Sequence, residues 1–314
     1  MISGSRPSIG RTIALLAAAG ATVVALAACG SSAAPPPDGK KQIFVTYSIL
    51  GSVVKDLVGD AADVTVLMPN GADPHQWSPS AKDIETLVHA DLLVENGLNL
   101  EGGMGTAFQQ AGSQGVRRFV ASDHITVRHV GQGEGIPGND PDQAIGAADP
   151  HLWMDPLTIR DVVSALATDL KSSLGLDVST QAEDLEKRLD NLSTELAGTL
   201  SVVPQAQRKL VTGHESLGYF AARYGFTLIG AIVPSLSDEA ETSSADLAAL
   251  EKDIRDAGVK AIFTELGTSP ATAEAVAHDT GAKVVELTTH ALPADGSYFT
   301  FMRAIASAIA ENLA

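Results

Sequence analysis

Residues 146–156, GAADPHLWMDP, stand at mid-chain, where one run of alternating strand-like and helix-like segments ends and a second is about to begin. The centre of this stretch, Asp149-Pro150-His151-Leu152-Trp153, has a counterpart in Asp73-Pro74-His75-Gln76-Trp77. The chain has two Trp, and each stands two residues after a His in the same D-P-H-x-W arrangement. An imidazole set between a rigid Pro and a bulky ring points its nitrogen in a fixed direction. One such turn reads equally well as a buried turn whose His caps a backbone carbonyl. The matched pair points instead to a metal site, which needs several similar, fixed imidazoles.

Working outward, the first half alternates. Segments 43–47 and 64–67 are strand-like and 50–58 is helix-like, and the turn-rich 69–79 then carries His75. Ser80 reads as the N-cap of a helix over 81–89, with Glu85 adding negative charge to its early turns. Strand, helix and strand follow at 92–95, 103–111 and 118–120. Residues 121–148, rich in Gly, Asp and Pro, break the pattern. They are expected to be a plain loop; a mobile collector using His124 and His129 is the alternative. Beyond the central stretch, 158–174 is apolar at helical spacing. Residues 180–202 form the longest predicted helix, with Leu185, Leu189, Leu192 and Leu196 three or four apart and a reach of about 30 Å. It reads as a stiff connector packed along two lobes; a coiled-coil dimer seam fits less well, the repeat lasting only about three heptads. The alternation then resumes, with strands at 209–212, 227–232, 259–264 and 283–287 and helices at 215–224, 244–257, 270–280 and 297–312. The predicted class is α/β. Two lobes with parallel-type sheets, 42–176 and 208–314, are joined by one long connecting helix within 177–207, with a cleft between the lobes.

Eight His fall unevenly on this frame. His89 and His278 sit on predicted helices without a His partner and read as surface or packing residues. His75, His151, His214 and His290 all follow predicted strands, two in each lobe. Ligands of open α/β sheets bind beyond the carboxyl ends of strands, so these four could converge on the cleft. For His214 the competing reading is a helix-capping residue, and for His290 nothing local marks a site. A ligating imidazole needs its other nitrogen held by an acceptor, and Asp73, Asp149, Asp155 and Glu215 are the nearby candidates.

Asp plus Glu outnumber Lys plus Arg by 38 to 21, for a net charge of −17, which argues against nucleic acid as a partner. The single cysteine, Cys29, builds neither an internal disulfide nor a thiolate metal site. Its surroundings explain it: Arg6 and Arg11 precede an apolar run over 12–28 with no acidic residue, ending Leu26-Ala27-Ala28-Cys29-Gly30. That pattern is a secretory signal resembling a bacterial lipobox, with cleavage after residue 28 and a lipid on Cys29. Residues 29–41, small, polar and Pro-rich, then read as the lipidated Cys and a flexible tether to a body anchored at the outer face of the cell membrane.

The stretches PNGADPHQWSPSAKDIETL, DPHLWMDP, TGHESLGYFAARYGF, GVKAIFTE, TGAKVVEL and GSYFTFMR, in this order, resemble the ZnuA/TroA-like family. These are metal-specific solute-binding proteins of bacterial ABC transporters that import zinc or manganese, and the resemblance covers nearly the whole chain after the tether. It implies two α/β lobes joined by one long helix, with the metal between them. It places the family's first three ligand positions at His75, His151 and His214. The fourth, commonly an Asp or water, falls near His290. Glu265 matches a family acid with a structural role. The family's zinc importers often carry a His-rich loop ahead of DPHxW; residues 121–148 occupy that place and are not His-rich.

The expected cargo is Zn²⁺, because three or four imidazoles suit its tetrahedral preference, while Mn²⁺ favours carboxylate and water oxygen. Copper and nickel also bind imidazole well. The expected partners are a membrane permease and a separate ATPase subunit, since this chain has no GxxxxGK[ST] phosphate loop. A monomer is expected. A secreted zinc hydrolase is disfavoured because His214-Glu215 fails to continue as HExxH, with Gly218 where the second His would stand. A surface lipoprotein with a purely structural metal is the other rival.

Overall fold

The strand Lys41–Val45 (β1) sets the pattern for the first lobe. Ile43 and Val45 turn into the large central core and Phe44 into a separate cluster on the opposite face, the two-residue alternation of a strand covered on both sides. The computed structural model describes residues 39–134 and 145–314. The expected signal segment 1–28, Cys29 and the tether up to residue 38 lie outside the described residues.

Helix α1 (Ser48–Val58) leads to β2 (Ala62–Val66), then α2 (Ala81–Leu87), β3 (Leu92–Glu95), α3 (Gly105–Ser113) and β4 (Arg117–Val120). The four strands form one parallel sheet in the order β2-β1-β3-β4. The second half repeats the plan with β5 (Lys209–Thr212), α6 (Gly218–Tyr224), β6 (Thr227–Ala231), α7 (Ser244–Ala257), β7 (Ala261–Thr264), α8 (Pro270–Thr280), β8 (Lys283–Glu286) and α9 (Tyr298–Leu313). Its sheet is also parallel, in the equivalent order β6-β5-β7-β8.

Between the halves lie α4 (Pro156–Asp169) and α5 (Ser179–Leu200). The helix predicted over 158–174 starts two residues earlier and runs on to Leu174, its last turn Leu170–Leu174 widening into a π-turn that stops at Gly175, φ +71°. Helix α5, 22 residues long and so about 33 Å, buries Leu185, Leu189, Leu192 and Leu196. These leucines belong to one continuous apolar core with Ile43 and Leu92 of the first lobe and Leu210, Phe263 and Ile305 of the second. The caps follow local chemistry: Ser80 and Ser243 each form a reciprocal capping box with an Asp three residues on, and Ser269 and Ser297 cap α8 and α9. The helix predicted over 215–224 begins later, at Gly218, because residues 214–217 are drawn into the site described below. Helix α2 likewise ends before His89, which is exposed, as is His278.

One turn at the mouth of the cleft is under backbone strain. Leu98 and Asn99 have φ of +54° and +58°, unfavourable for residues with a Cβ. The turn is pinned by buried Glu101, whose Oε1 accepts from Thr46 Oγ1 and from the Asn96 N–H, both at 2.7 Å. Burial pushes this carboxyl up to about 7 against the two hydrogen bonds that favour its charge. The unfolded chain therefore gives up this proton first as pH rises from about 4.5 to 7, and stability is lost across that window. Glu101→Gln, which keeps the acceptor and removes the charge, should stabilise the protein at pH 8 by on the order of 1–3 kcal/mol and far less at pH 4.5. Urea unfolding of both proteins at the two pH values checks this.

Candidate metal centre

His75 lies in the loop after β2, His151 in the segment after β4, His214 directly after β5 and His290 in the loop after β8. All four leave carboxyl ends of parallel strands, and the fold brings them together. One ring nitrogen from each lies within 4.8 Å of the others. Nε2 of His151 is 3.4 Å from Nε2 of His75 and 3.1 Å from Nε2 of His214. His151 and His214 are fully buried and His290 is 5% exposed; His75, at 9%, is the most accessible. A cavity of about 130 Å³, lined also by Leu98, Asn99, Ser237 and Glu239, opens onto His75 and onto none of the other three.

On His151 and His290 the far side of the ring fixes which nitrogen is free. Nδ1 of His151 is 2.9 Å from Asp149 Oδ1. A carboxylate only accepts, so Nδ1 carries the proton and Nε2 presents a lone pair. Glu265 Oε2 accepts from the Thr289 hydroxyl at 2.7 Å, and that hydroxyl oxygen is 3.0 Å from His290 Nδ1. The Thr289 proton is committed to Glu265, so its oxygen accepts from His290 Nδ1–H. That leaves His290 Nε2 as a buried lone pair without a partner. Nδ1 of His214 is 3.0 Å from Glu265 Oε1, within reach of its charge but off the line of a good hydrogen bond. The same oxygen accepts the His214 backbone N–H at 3.1 Å, and Ser216 donates to Oε2 at 2.6 Å. Wherever two such rings both present a lone pair, those lone pairs repel at this spacing. A cation between them removes the repulsion, and a tetrahedral Zn²⁺ with Zn–N near 2.0–2.1 Å would itself space its nitrogens by about 3.3 Å.

Burial, then the neighbouring imidazoles, hold His75 far below the ordinary imidazole range and push His290 down to about 3. Burial lowers His151 too, with Asp149 opposing. His214 goes the other way: burial lowers it, but Glu265 and, more distantly, Asp238 and Asp73 outweigh burial and raise it. Glu265 is held well below the carboxylate range, burial notwithstanding, by His214 and His290. Three rings are thus held toward the neutral form that can ligate, while Glu265 favours the protonated form of the fourth, His214, in competition with a metal.

The expected acceptors are placed differently from one another. Asp149 stands on the His151 ring, as described. Asp73 does not reach a ring: Oδ1 takes the His75 backbone N–H at 2.9 Å, and the carboxyl, raised to about 7 by burial and by Asp238, faces Asp238. Asp155 caps α4 through Leu157 N–H and Thr158 Oγ1 and pairs bidentately with Arg223 at 2.8 and 2.7 Å. Glu215 is buried with its carboxyl raised to about 7 by burial and Asp149, and no imidazole donates to it. The acid that takes their place is Glu265, whose position after β7 puts it under both His214 and Thr289. Thr289 itself left no signal in the sequence beyond its place next to His290.

The twin sheets, the long connecting helix and a buried imidazole cluster between the sheets define a two-lobed solute-binding protein with a metal site. The family described as the periplasmic zinc-uptake complex component A matches residues 43–312. The chain belongs to that family; it is a metal-binding component of an ABC transporter and not an enzyme. Among relatives, it is 30% identical over 233 residues to the zinc-binding protein TroA of Treponema pallidum, covering 73% of this chain and 71% of that protein. It is 25% identical over 285 residues to the manganese ABC transporter substrate-binding lipoprotein PsaA of Streptococcus anginosus, covering 87% and 89%. The solved structure of the Treponema pallidum protein superposes with a TM-score of 0.74 at 27% identity, over 88% of this chain and all of that one. A crystal structure of ZnuA, at 24% identity and the same TM-score, shares the fold.

Two outcomes are expected. Thr289→Val, which removes the acceptor for His290 Nδ1–H, should weaken metal binding by about tenfold or more, read by competition with a chromophoric chelator. Because Glu265 raises the proton affinity of His214 above that of an ordinary imidazole, metal loading should release protons, and affinity should fall as pH drops. Calorimetry in buffers of different ionisation enthalpy measures that release.

Proposed function

We propose that this protein captures Zn²⁺ outside the cytoplasm and delivers it to a membrane permease driven by a separate ATPase subunit. His75, His151, His214 and His290 are the ligands. The observation that carries the reading is the donor set: four imidazoles, with the two nearest acids, Asp149 and Glu265, engaged behind the rings and not turned into the centre. Nitrogen-only coordination favours Zn²⁺ over Mn²⁺, which prefers oxygen. Manganese is the second reading, supported by relatives whose names carry that metal, PsaA and the manganese-binding lipoprotein MntA of Halalkalibacterium halodurans. Copper and nickel also bind imidazole, and competition titrations separate them.

In this reading a lipid on Cys29 holds the protein, as a monomer, at the outer face of the cell membrane. Several relatives are named lipoproteins, and among the described residues no helix is long and apolar enough to cross a membrane. The metal arrives over His75, the ring that faces the cavity. Loading involves local loop movement more than wide hinge closure, because the second lobe is stitched to the first around the centre. Trp153 Nε1 donates to Thr289 O at 3.2 Å, Tyr298 Oη donates to Trp153 O at 2.8 Å, and Asn70 both donates to and accepts from the Leu292 backbone.

Titration of the demetallated body, residues 30–314, with Zn²⁺ and Mn²⁺ tests this. The expected result is tight one-to-one zinc binding, much weaker manganese binding, and a large loss of zinc affinity in both His214→Ala and His290→Ala. Manganese bound as tightly as zinc would replace the first reading with the second. Loss in His214→Ala alone would remove His290 from the ligand set.

A further inference from the structure

Residues 121–148 read in sequence as a plain loop, yet their two described stems pair with each other. The Arg128 carbonyl accepts from Asp149 N–H at 2.9 Å, Val130 N–H donates to Ala147 O and Gly146 N–H to Val130 O, both at 2.9 Å, and His129 and Ala148 form an antiparallel bridge. This short ladder carries Arg128 to the back of the metal centre. Its side chain is 12% exposed and its Nη1 donates to Asp149 Oδ2 at 2.9 Å. Asp149 is fully buried, and its other oxygen, Oδ1, takes both the backbone N–H and the ring Nδ1–H of His151. One carboxylate is therefore divided between a guanidinium and a ligand imidazole.

Arg128 is itself fixed from three sides. Glu134 Oε2 accepts from its Nη2 and from the Gly131 N–H. Its backbone N–H donates at 3.0 Å to the hydroxyl of Tyr219, on α6 of the other lobe. Gly218, at the start of α6, lies against the pair so closely that a Cβ there would meet both the Asp149 carboxylate and the Arg128 guanidinium. That contact accounts for a glycine in first position of a helix, where it is a poor helix former.

We infer that Arg128 is a positioning residue for the metal site, acting through Asp149 to hold the His151 ring with Nε2 aimed at the metal. A buried carboxylate with one oxygen unpaired is unfavourable and free to turn toward any other donor. The guanidinium ties down Oδ2, so Oδ1 stays on the imidazole. The stems of this loop thereby gain a role for which no histidine is needed. The inference rests on the carrier reading above, and the experiment separates the two.

The full chain and its Arg128→Met, Arg128→Lys, Asp149→Asn and Arg128→Met/Asp149→Asn variants are compared for Zn²⁺ affinity by chelator competition, for the visible spectrum of the Co²⁺ form, and for melting of the metal-free protein. Arg128→Met is expected to lose about tenfold to a hundredfold in zinc affinity and to shift the Co²⁺ spectrum. Arg128→Lys, which keeps a cation beside Oδ2, should recover most of both. In the Asp149→Asn background the Met substitution should cost less than twofold more, because its route to the ring is already cut. Should Met unfold the stems, Arg128→Gln replaces it. Tight zinc binding by the parent with unchanged affinity in Arg128→Met overturns this inference alone. So does an additive loss in the double variant, or a failure of Lys to recover the spectrum, either of which marks a merely structural residue. No tight zinc binding by the parent overturns the carrier reading and this inference with it.

Discussion

Four imidazoles cannot share a dry pocket cheaply. In this protein their ring nitrogens converge within 4.8 Å, and on His151 and His290 the opposite nitrogen is tied to an acceptor, so the inward-facing lone pairs have nowhere to turn. Leaving buried polar atoms unpaired costs free energy, and crowding them together adds repulsion. A bound cation converts that repulsion into coordination. The outer acids matter as much as the rings. Asp149 and Glu265 supply negative charge without entering the centre, and the Thr289 hydroxyl passes the influence of Glu265 to His290. The family contains proteins named for zinc and for manganese, so membership alone leaves the metal open. The nitrogen-rich donor set is what favours zinc in the reading proposed.

The scaffold around the centre is made to hold still. Two copies of one parallel topology face each other, and α5, α4 and α9 run a single apolar core through both. Ion pairs from α5 to each lobe, Arg188 with Asp56 and Arg303 with Glu195, are exposed and contribute little. The buried leucines of α5 do most of the holding. Strain collects instead at the mouth, in the Leu98–Asn99 turn beside the cavity that opens onto His75. Functional turns are often the part of a fold where such strain is tolerated.

Much of this was legible in the sequence. The alternation of strand-like runs with helix-like stretches, with Ser80 as a cap, places most elements, because it follows from local backbone chemistry; α7 and α8 coincide with the helices expected over 244–257 and 270–280. The paired DPHxW turns and the strand-to-loop placement of four His singled out the residues that cluster, since parallel sheets deliver strand ends to a common edge. Proximity in sequence was a poor guide to what stands behind each ring. Asp155 and Glu215 neighbour His151 and His214 in the chain, yet one caps a helix and pairs with Arg223 while the other faces no imidazole.

Those partners are set by how segments distant in sequence meet within each folded lobe. Glu265 follows β7, about fifty residues from His214, and reaches His290 through a threonine. Arg128 comes from a segment without periodic pattern, carried to Asp149 by a ladder between two distant stems. A sequence read alone determines which backbone segments are strands and helices and which residue types can ligate a metal, because those depend on neighbours along the chain. Only the tertiary structure decides which acid holds which ring, because hydrogen bonds across tens of residues depend on how the loops at the strand ends of each lobe fold together.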